Sequence, residues 1–238
     1  MRSTRGFTLI EMILTIIVGG ILVLGIAGFV ELGAKGYSNT VERQRLQTQA
    51  KFIIEKMSRE VRHAVPNLFT SDSDCLSFYP IEYSGFYAIS GADIHFVVGQ
   101  DAADGGALDA SSFNGLSMVI NPTTSLEIID NTIALDSNVS ALSGGAFAIS
   151  NAASSLVTHS IANRHYIFDK STTREYCISG GVVWRDTYPL SDSVIQSGAI
   201  KYQPATVQSN GLVHINFEFA QNGESTRFEQ DIQVINVP

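Results

Sequence analysis

The chain has 238 residues, of which 45% are hydrophobic and 16% are charged, and its net charge is −8. This composition fits one globular domain plus one membrane segment, and two cysteines are too few for a disulfide-rich miniprotein or a cysteine-rich metal protein. Residues 64–238 carry 6 basic and 18 acidic side chains, and this acidic part of the chain repels nucleic acid. We therefore expect no nucleic-acid partner.

An apolar run begins at Phe7, and no charged residue occurs from Met12 to Val30. The run is long enough to cross a membrane, which takes about 20 helical residues. A cleaved secretory signal would need an A-x-A site, and no convincing one follows. A plain signal anchor fits the length, and Arg2 and Arg5 predict a cytoplasmic N-terminus, but this interpretation leaves Glu11 unexplained.

Glu11 lies near the start of the apolar run and needs a charge partner. A carboxylate in the hydrocarbon region costs roughly 2.5 to 3.5 kcal/mol on insertion scales, and such groups usually mark function. A cut between Gly6 and Phe7 would create an amine one helical turn from Glu11. A neighbouring subunit would offer the same amine, so processing would supply the partner.

Residues 5–12, RGFTLIEM, followed by an apolar helix, resemble the N-terminal signature of type IV pilins and type II secretion pseudopilins. The resemblance implies cleavage after Gly6 by a prepilin peptidase, methylation of the new N-terminal Phe7, and an ion pair between Glu11 and the amine of an adjoining subunit. Many family members have a proline in the apolar segment, whereas this chain has four glycines there, at Gly19, Gly20, Gly25 and Gly28. These glycines either loosen the helix or allow close helix contacts in lipid.

The resemblance also implies partners and a location. The partners are the prepilin peptidase, other major and minor pilins, an inner-membrane assembly platform and the lipid bilayer. We expect a single-pass bacterial inner-membrane protein, with its N-terminus cytoplasmic and its head periplasmic, that later enters a filament. Residues 1–6 would be the leader and residues 7–30 the transmembrane helix.

Residues 31–65 continue as an amphipathic stalk helix that ends at Pro66. Its apolar residues recur at steps of three and four, which places them on one helix face: Leu46, Ala50, Ile53, Ile54, Met57, Val61, Ala64 and Val65. The region around Gly33, Gly36, Ser38 and Asn39 is the weakest part of the helix. We interpret the basic side chains of the opposite face as solvated rather than as a nucleic-acid site.

Residues 66–238 predict a β-rich head domain. Short β-branched or aromatic runs at 75–79, 94–98, 116–120, 126–129 and 165–168 are separated by Gly, Asn, Asp and Ser. Two hairpins are predicted, one turning at Gly180-Gly181 and one at Asn222-Gly223. Alternation from Val213 to Phe219 places one face of the second hairpin in the core. The expected fold class is α+β, with the long helix packed on an antiparallel sheet.

Catalytic and metal-binding patterns are weak. The histidines form no metalloprotease pair, no serine lies in a nucleophile elbow, and no phosphate-binding loop is present. Asp101, Asp104 and Asp109 occupy a polar, glycine-rich segment, but their spacing does not fit a calcium loop, and a solvated acidic loop is the better interpretation. We expect no enzyme activity, no metal and no cofactor.

The two cysteines lie at Cys75, which begins the first strand after the helix, and at Cys177, in the first hairpin. In an oxidising periplasm we expect a disulfide between them. Two buried free thiols are the alternative, because cysteine packs well as a small apolar residue.

Together these features predict a non-enzymatic minor pilin-like subunit that primes or terminates a filament. A minor pseudopilin of type II secretion is the nearest alternative. A membrane-anchored ligand-binding module that never polymerises is an alternative of another class, although such an anchor would have no reason to keep Glu11.

Overall fold

A computed structural model describes residues 6–72, 74–99, 108–122, 132–156, 159–206 and 209–234 of the chain. One long helix, α1 (Leu9–Arg62), precedes a head of antiparallel strands, so the fold is α+β as predicted. The strands of the head are β1 (Ala64–Ser71), β2 (Cys75–Pro80), β3 (Tyr83–Ser90), β4 (Asp93–Val98), β5 (Ser117–Ile120), β6 (Ile133–Ala134), β7 (Val139–Ala141), β8 (Phe147–Ile149), β9 (Arg164–Phe168), β10 (Arg174–Ser179), β11 (Val182–Arg185), β12 (Tyr188–Pro189), β13 (Ile195–Gln203), β14 (Leu212–Gln221) and β15 (Glu224–Gln233).

Helix α1 is unbroken over 54 residues, which is about 81 Å at 1.5 Å per residue. It runs through Gly33 and Gly36 without interruption, so this weak region does not divide it. The helix ends at Arg62, three residues before the predicted end at Val65. Pro66 explains the difference, because a proline pushes the preceding residue toward extended geometry, and Ala64 already pairs with Pro80 of β2.

The second half of α1 packs against the head. Five of its apolar residues, at steps of three and four, are fully buried: Leu46, Ala50, Ile53, Met57 and Val61. They join one core cluster with Val213, Ile215, Phe217 and Phe219 of β14. Burying each large apolar side chain stabilises the fold by about 1.5 to 3 kcal/mol. Half of the helix is therefore fixed to the head by hydrophobic packing.

The first half of α1 stands free of the head. Every residue from Leu9 to Val41 is exposed except Gly19, which is partly covered. The apolar part of this stretch, from Leu9 to Val30, is long enough to cross a membrane. This half of the helix is therefore suited to the interior of a membrane.

Both predicted hairpins are present. Strands β10 and β11 form an antiparallel pair, in which Ser179↔Val182 is the pair nearest the turn. The turn residues Gly180 and Gly181 have φ of 60° and 76°. Strands β14 and β15 turn at Asn222 and Gly223, with φ of 52° and 85°. These positive φ values are the ones a two-residue hairpin turn requires.

The strands form three antiparallel sheets. Their orders are β1-β2-β10-β11-β12, β13-β14-β15 and β6-β5-β9-β3-β4-β8-β7. The predicted runs at 75–79, 94–98, 116–120 and 165–168 are strands, whereas the run at 126–129 lies outside the described residues. Strand β1 was not predicted, so Cys75 begins the second strand after the helix rather than the first. The other strands that were not predicted are β3, β6, β7, β8, β12 and β13. The seven-stranded sheet has its own core cluster, which includes Phe96, Phe113 and Ile167.

Polar contacts also join the helix to the head. Arg43 donates to Glu224 at 3.0 Å, and Gln49 donates to Asp192 at 2.7 Å, where Arg45 also bonds. Near the helix C-terminus, Arg185 Nε donates to Glu60 at 3.1 Å. Part of the basic face interpreted as solvated thus meets acidic groups of the head, although exposed pairs of this kind add little stability.

Candidate assembly site at the helix N-terminus

The Gly6–Phe7 bond lies in the non-helical chain just before the helix. Thr8 is the N-cap residue, with φ −80° and ψ 147°, and α1 begins at Leu9. Phe7 is 79% exposed. A Cβ added at Gly6 would meet no heavy atom of the described chain within 4 Å. Because the fold itself does not require glycine here, a requirement for Gly6 would come from another molecule.

Glu11 lies in the first turn of α1 and is exposed. Within the described residues, its carboxylate accepts one hydrogen bond, from the Thr8 hydroxyl at the long distance of 3.5 Å, and forms no ion pair. A negative charge at a helix N-terminus is favoured by the helix dipole, which is worth only about 0.3 to 1 kcal/mol. This is less than the cost of placing the carboxylate in hydrocarbon, so Glu11 remains short of a partner.

The residues after Glu11 present apolar side chains all around the helix. Ile13, Leu14, Ile17 and Leu24 are 45% to 75% exposed, although they lie at different angles around the axis. A helix that is apolar on every face and packs against none of the described residues fits a lipid environment. Gly19, Gly20, Gly25 and Gly28 leave α1 continuous.

The two cysteines occupy facing positions on neighbouring strands. Cys177 of β10 pairs with Cys75 of β2 in the antiparallel ladder, and their sulfur atoms are 2.01 Å apart, within bonding distance. Glu175 lies beside them, and its carboxylate with the two sulfurs forms a cluster close enough for a metal. A disulfide leaves no thiolate for such an ion.

The predicted acidic loop is described only in part. Asp101 and Asp104 lie outside the described residues. Asp109 caps a short 3-10 turn (Ala110–Phe113), where it accepts hydrogen bonds from the Ser111 hydroxyl at 2.6 Å and the Ser112 amide at 3.1 Å. These bonds hold the pKa of Asp109 below its usual value. This carboxylate therefore has a structural role in its own loop.

Sequence reasoning missed a buried histidine. His165 of β9 is fully buried, and neither ring nitrogen has a hydrogen-bond partner among the described residues. Its ring meets Phe96 edge-on, with centroids 5.4 Å apart. Burial lowers the pKa of His165 to about 4, so the ring is neutral at pH 7. The run HYIF predicted the strand, but nothing in it indicated which face the histidine takes.

Residues 1–27 match the family described as the Prokaryotic N-terminal methylation motif. No curated protein and no solved structure matches the chain. The motif, together with the exposed apolar helix, supports a type IV pilin-like protein anchored in a membrane. The motif points to a structural protein rather than an enzyme, and it implies processing by a prepilin peptidase and assembly with other pilins.

Proposed function

We propose that the chain is a minor pilin-like subunit for biogenesis of a pilus of the mannose-sensitive haemagglutinin (MSHA) type. The peptidase cleaves between Gly6 and Phe7 and methylates Phe7, and the mature subunit then primes or terminates a filament. The observation that carries this proposal is Glu11, a carboxylate on a lipid-compatible helix that has no ion-pair partner in its own described chain. The free amine of an adjoining subunit would supply that partner.

The choice of an MSHA-type pilus rests on sequence likeness beyond the N-terminal motif. The end of the helix region (SREVRHAVPN), the segment CLSFYPIEYSGFY and the terminal VINVP resemble the O protein of the MSHA pilus operon. That likeness is patchy over the rest of the chain. The J-type minor pseudopilin of type II secretion shares the long helix and β-rich head, and it is the second candidate.

The proposed topology places the N-terminus in the cytoplasm and the head in the periplasm. Arg2 and Arg5 precede the apolar segment, and the positive-inside rule keeps such residues in the cytoplasm. The subunit waits in the inner membrane, contacts the assembly platform there, and moves with its helix into the filament. Burying the exposed apolar face of Leu9–Val30 among other pilin helices keeps that face out of water after it leaves the lipid.

A deletion in the source bacterium distinguishes the three candidate functions. Loss of surface pili with normal secretion of exoproteins supports the pilus subunit. Normal pili with a secretion defect supports the pseudopilin. A third outcome is that the deletion affects neither system and that the protein of the undeleted strain retains its leader and stays in the inner membrane. This outcome supports the anchored ligand-binding module and contradicts our proposal. Complementation with the intact gene is the control.

A further inference from the structure

The face of the seven-stranded sheet opposite the Phe96 core cluster holds a cavity of about 360 Å³. Strands β9, β3 and β4 lie side by side there, and Phe86 of β3 stands directly opposite Arg164 of β9 and Val97 of β4. Cross-strand partners share a face, so these three side chains point into the same space. Tyr166, two residues after Arg164, lies on that face as well. His165 lies between them on the opposite face, in the core.

Part of the cavity wall is formed by apolar side chains that are exposed to solvent. Phe86 is 55% exposed and Val97 is 42% exposed. At Gly85, backbone forms part of the lining, and a Cβ there would come within 1.9 Å of the Val97 carbonyl oxygen. The cavity volume falls in the range of small-molecule sites, about 300 to 1,000 Å³.

Arg164 supplies a positive charge in the wall of this cavity. Its guanidinium carbon lies 5.7 Å from the centre of the Phe86 ring, a cation–π arrangement that orients the group across the cavity. Its Nε atom is buried and has no hydrogen-bond partner among the described residues, and no described carboxylate forms an ion pair with Arg164. Burial raises the pKa of Tyr166, and the adjacent Arg164 partly opposes that rise. The phenol is therefore protonated at pH 7 and lies within reach of the guanidinium.

We propose that this cavity binds a small organic monocarboxylate with an apolar ring or chain. Arg164 donates paired hydrogen bonds to the carboxylate, the geometry in which arginine recognises such groups best. The Tyr166 hydroxyl lies beside that pair, while Phe86 and Val97 cover the apolar body. An anionic ligand satisfies a cation that lacks an acidic partner among the described residues of this otherwise acidic head. The proposal does not depend on filament assembly.

The test is a fluorine NMR titration of the full chain in lipid nanodiscs. The probe is 4-fluorobenzoate, and its uncharged analogue 4-fluorobenzamide has nearly the same shape. Empty nanodiscs correct for partition into lipid. We expect saturable binding of the acid, at least about tenfold tighter than binding of the amide, because charge-assisted hydrogen bonds are worth that much. Equal affinities for acid and amide, or no saturation, would overturn the proposal.

Variants locate the site. Arg164→Gln should weaken benzoate binding by at least about tenfold, and Phe86→Ala should weaken binding of both probes. Arg227→Gln is the control, since Arg227 also lies on a strand but is exposed and already pairs with Glu229 and Asn216. Unchanged binding in Arg164→Gln would contradict the assignment. If Arg164→Gln fails to fold, Arg164→Lys, which keeps the charge but loses the paired geometry, should bind more weakly than the natural protein, and equal binding would contradict the proposal.

Discussion

Cys75 and Cys177 face each other across strands β2 and β10, with their Cα atoms 4.1 Å apart although their sequence separation is 102. This pairing ties β2, which lies near the start of the head, to β10 of the Gly180-Gly181 hairpin. A crosslink at this place also fixes β2 and β10 next to each other in the five-stranded sheet.

We predict that the mature protein carries this disulfide. In the chain-entropy account, closing a loop of this length stabilises the fold by up to about 4.7 kcal/mol, and native strain lowers that figure. Thiol labelling of the denatured, unreduced protein should detect no free cysteine, and reduction should expose two. The Cys75→Ala variant should show one reactive thiol without reduction. Two reactive thiols in the unreduced natural protein would contradict the bond.

Stability should fall in acid because of His165. Its folded pKa of about 4 lies below the unfolded value near 6.5, so the unfolded chain binds the extra proton first. The loss begins as the pH falls below about 6.5 and is complete near pH 4. Relative to His165→Leu, the natural protein should lose roughly 2 to 3 kcal/mol between pH 7 and pH 4.5.

Guanidinium unfolding at a series of pH values measures this difference. His95→Gln is the control, because His95 lies on β4 of the same sheet but is only partly covered. That variant should keep the acid dependence of the natural protein. If His165→Leu shows the same acid dependence as the natural protein, the histidine is not responsible.

Replacing Gly6 with valine should block processing. The structure has open space for a Cβ at Gly6, so folding should be unaffected and the defect should appear only at cleavage. Mass spectrometry of the N-terminal peptide should find methylated Phe7 in the natural protein and an intact leader in Gly6→Val. Gly33→Ala, where the structure also has open space, is the control and should be processed normally. A retained Met1 in assembled natural protein would rule out this processing.

Glu11→Leu should separate membrane insertion from assembly. Removing the carboxylate lowers the cost of insertion, yet it also removes the proposed ion pair with an adjoining subunit. We expect normal or improved insertion, and at least about a tenfold loss of the subunit from sheared filaments if the pair is worth 1.4 kcal/mol or more. Immunoblots of membrane and filament fractions measure both.

The matched control for this variant is Glu31→Leu. Glu31 is an exposed helix carboxylate that bonds Lys35 within its own chain, at 2.7 Å. Its replacement should leave filament incorporation intact. Normal incorporation of Glu11→Leu would contradict the assembly role of Glu11.

Sequence patterns predicted the parts of the fold that depend on neighbouring residues. The Gly180-Gly181 and Asn222-Gly223 turns are local, because each needs positive φ at two adjacent positions. The helix face from Leu46 to Val61 is also local, through its 3.6-residue period. The end of the helix was placed three residues late, since pairing of Ala64 with Pro80 depends on a strand 16 residues away.

The division into three sheets could not be predicted from those patterns. Strand β3, YSGFYAIS, and strand β13, IQSGAIKYQ, contain small and polar residues that break the alternation of a half-buried strand. The place of β3 is set in part by a partner distant in sequence, β9, whereas β13 pairs with the next strand of the chain, β14. Arg164 and Phe86 form a pair only because β9 and β3 are neighbours.

With residues 7–30 in the bilayer, as we propose, the exposed stretch of α1 from Glu31 to Val41 sets the height of the head above the lipid. Eleven helical residues span about 16 Å, whereas the headgroup layer on one side of a membrane is about 5 to 8 Å thick. The lowest contacts between helix and head, near Arg43 and Glu224, therefore lie above the lipid surface. Since α1 is continuous, a displacement of its membrane end along the axis moves the head by the same distance, so extraction from the bilayer and travel of the head are one rigid motion.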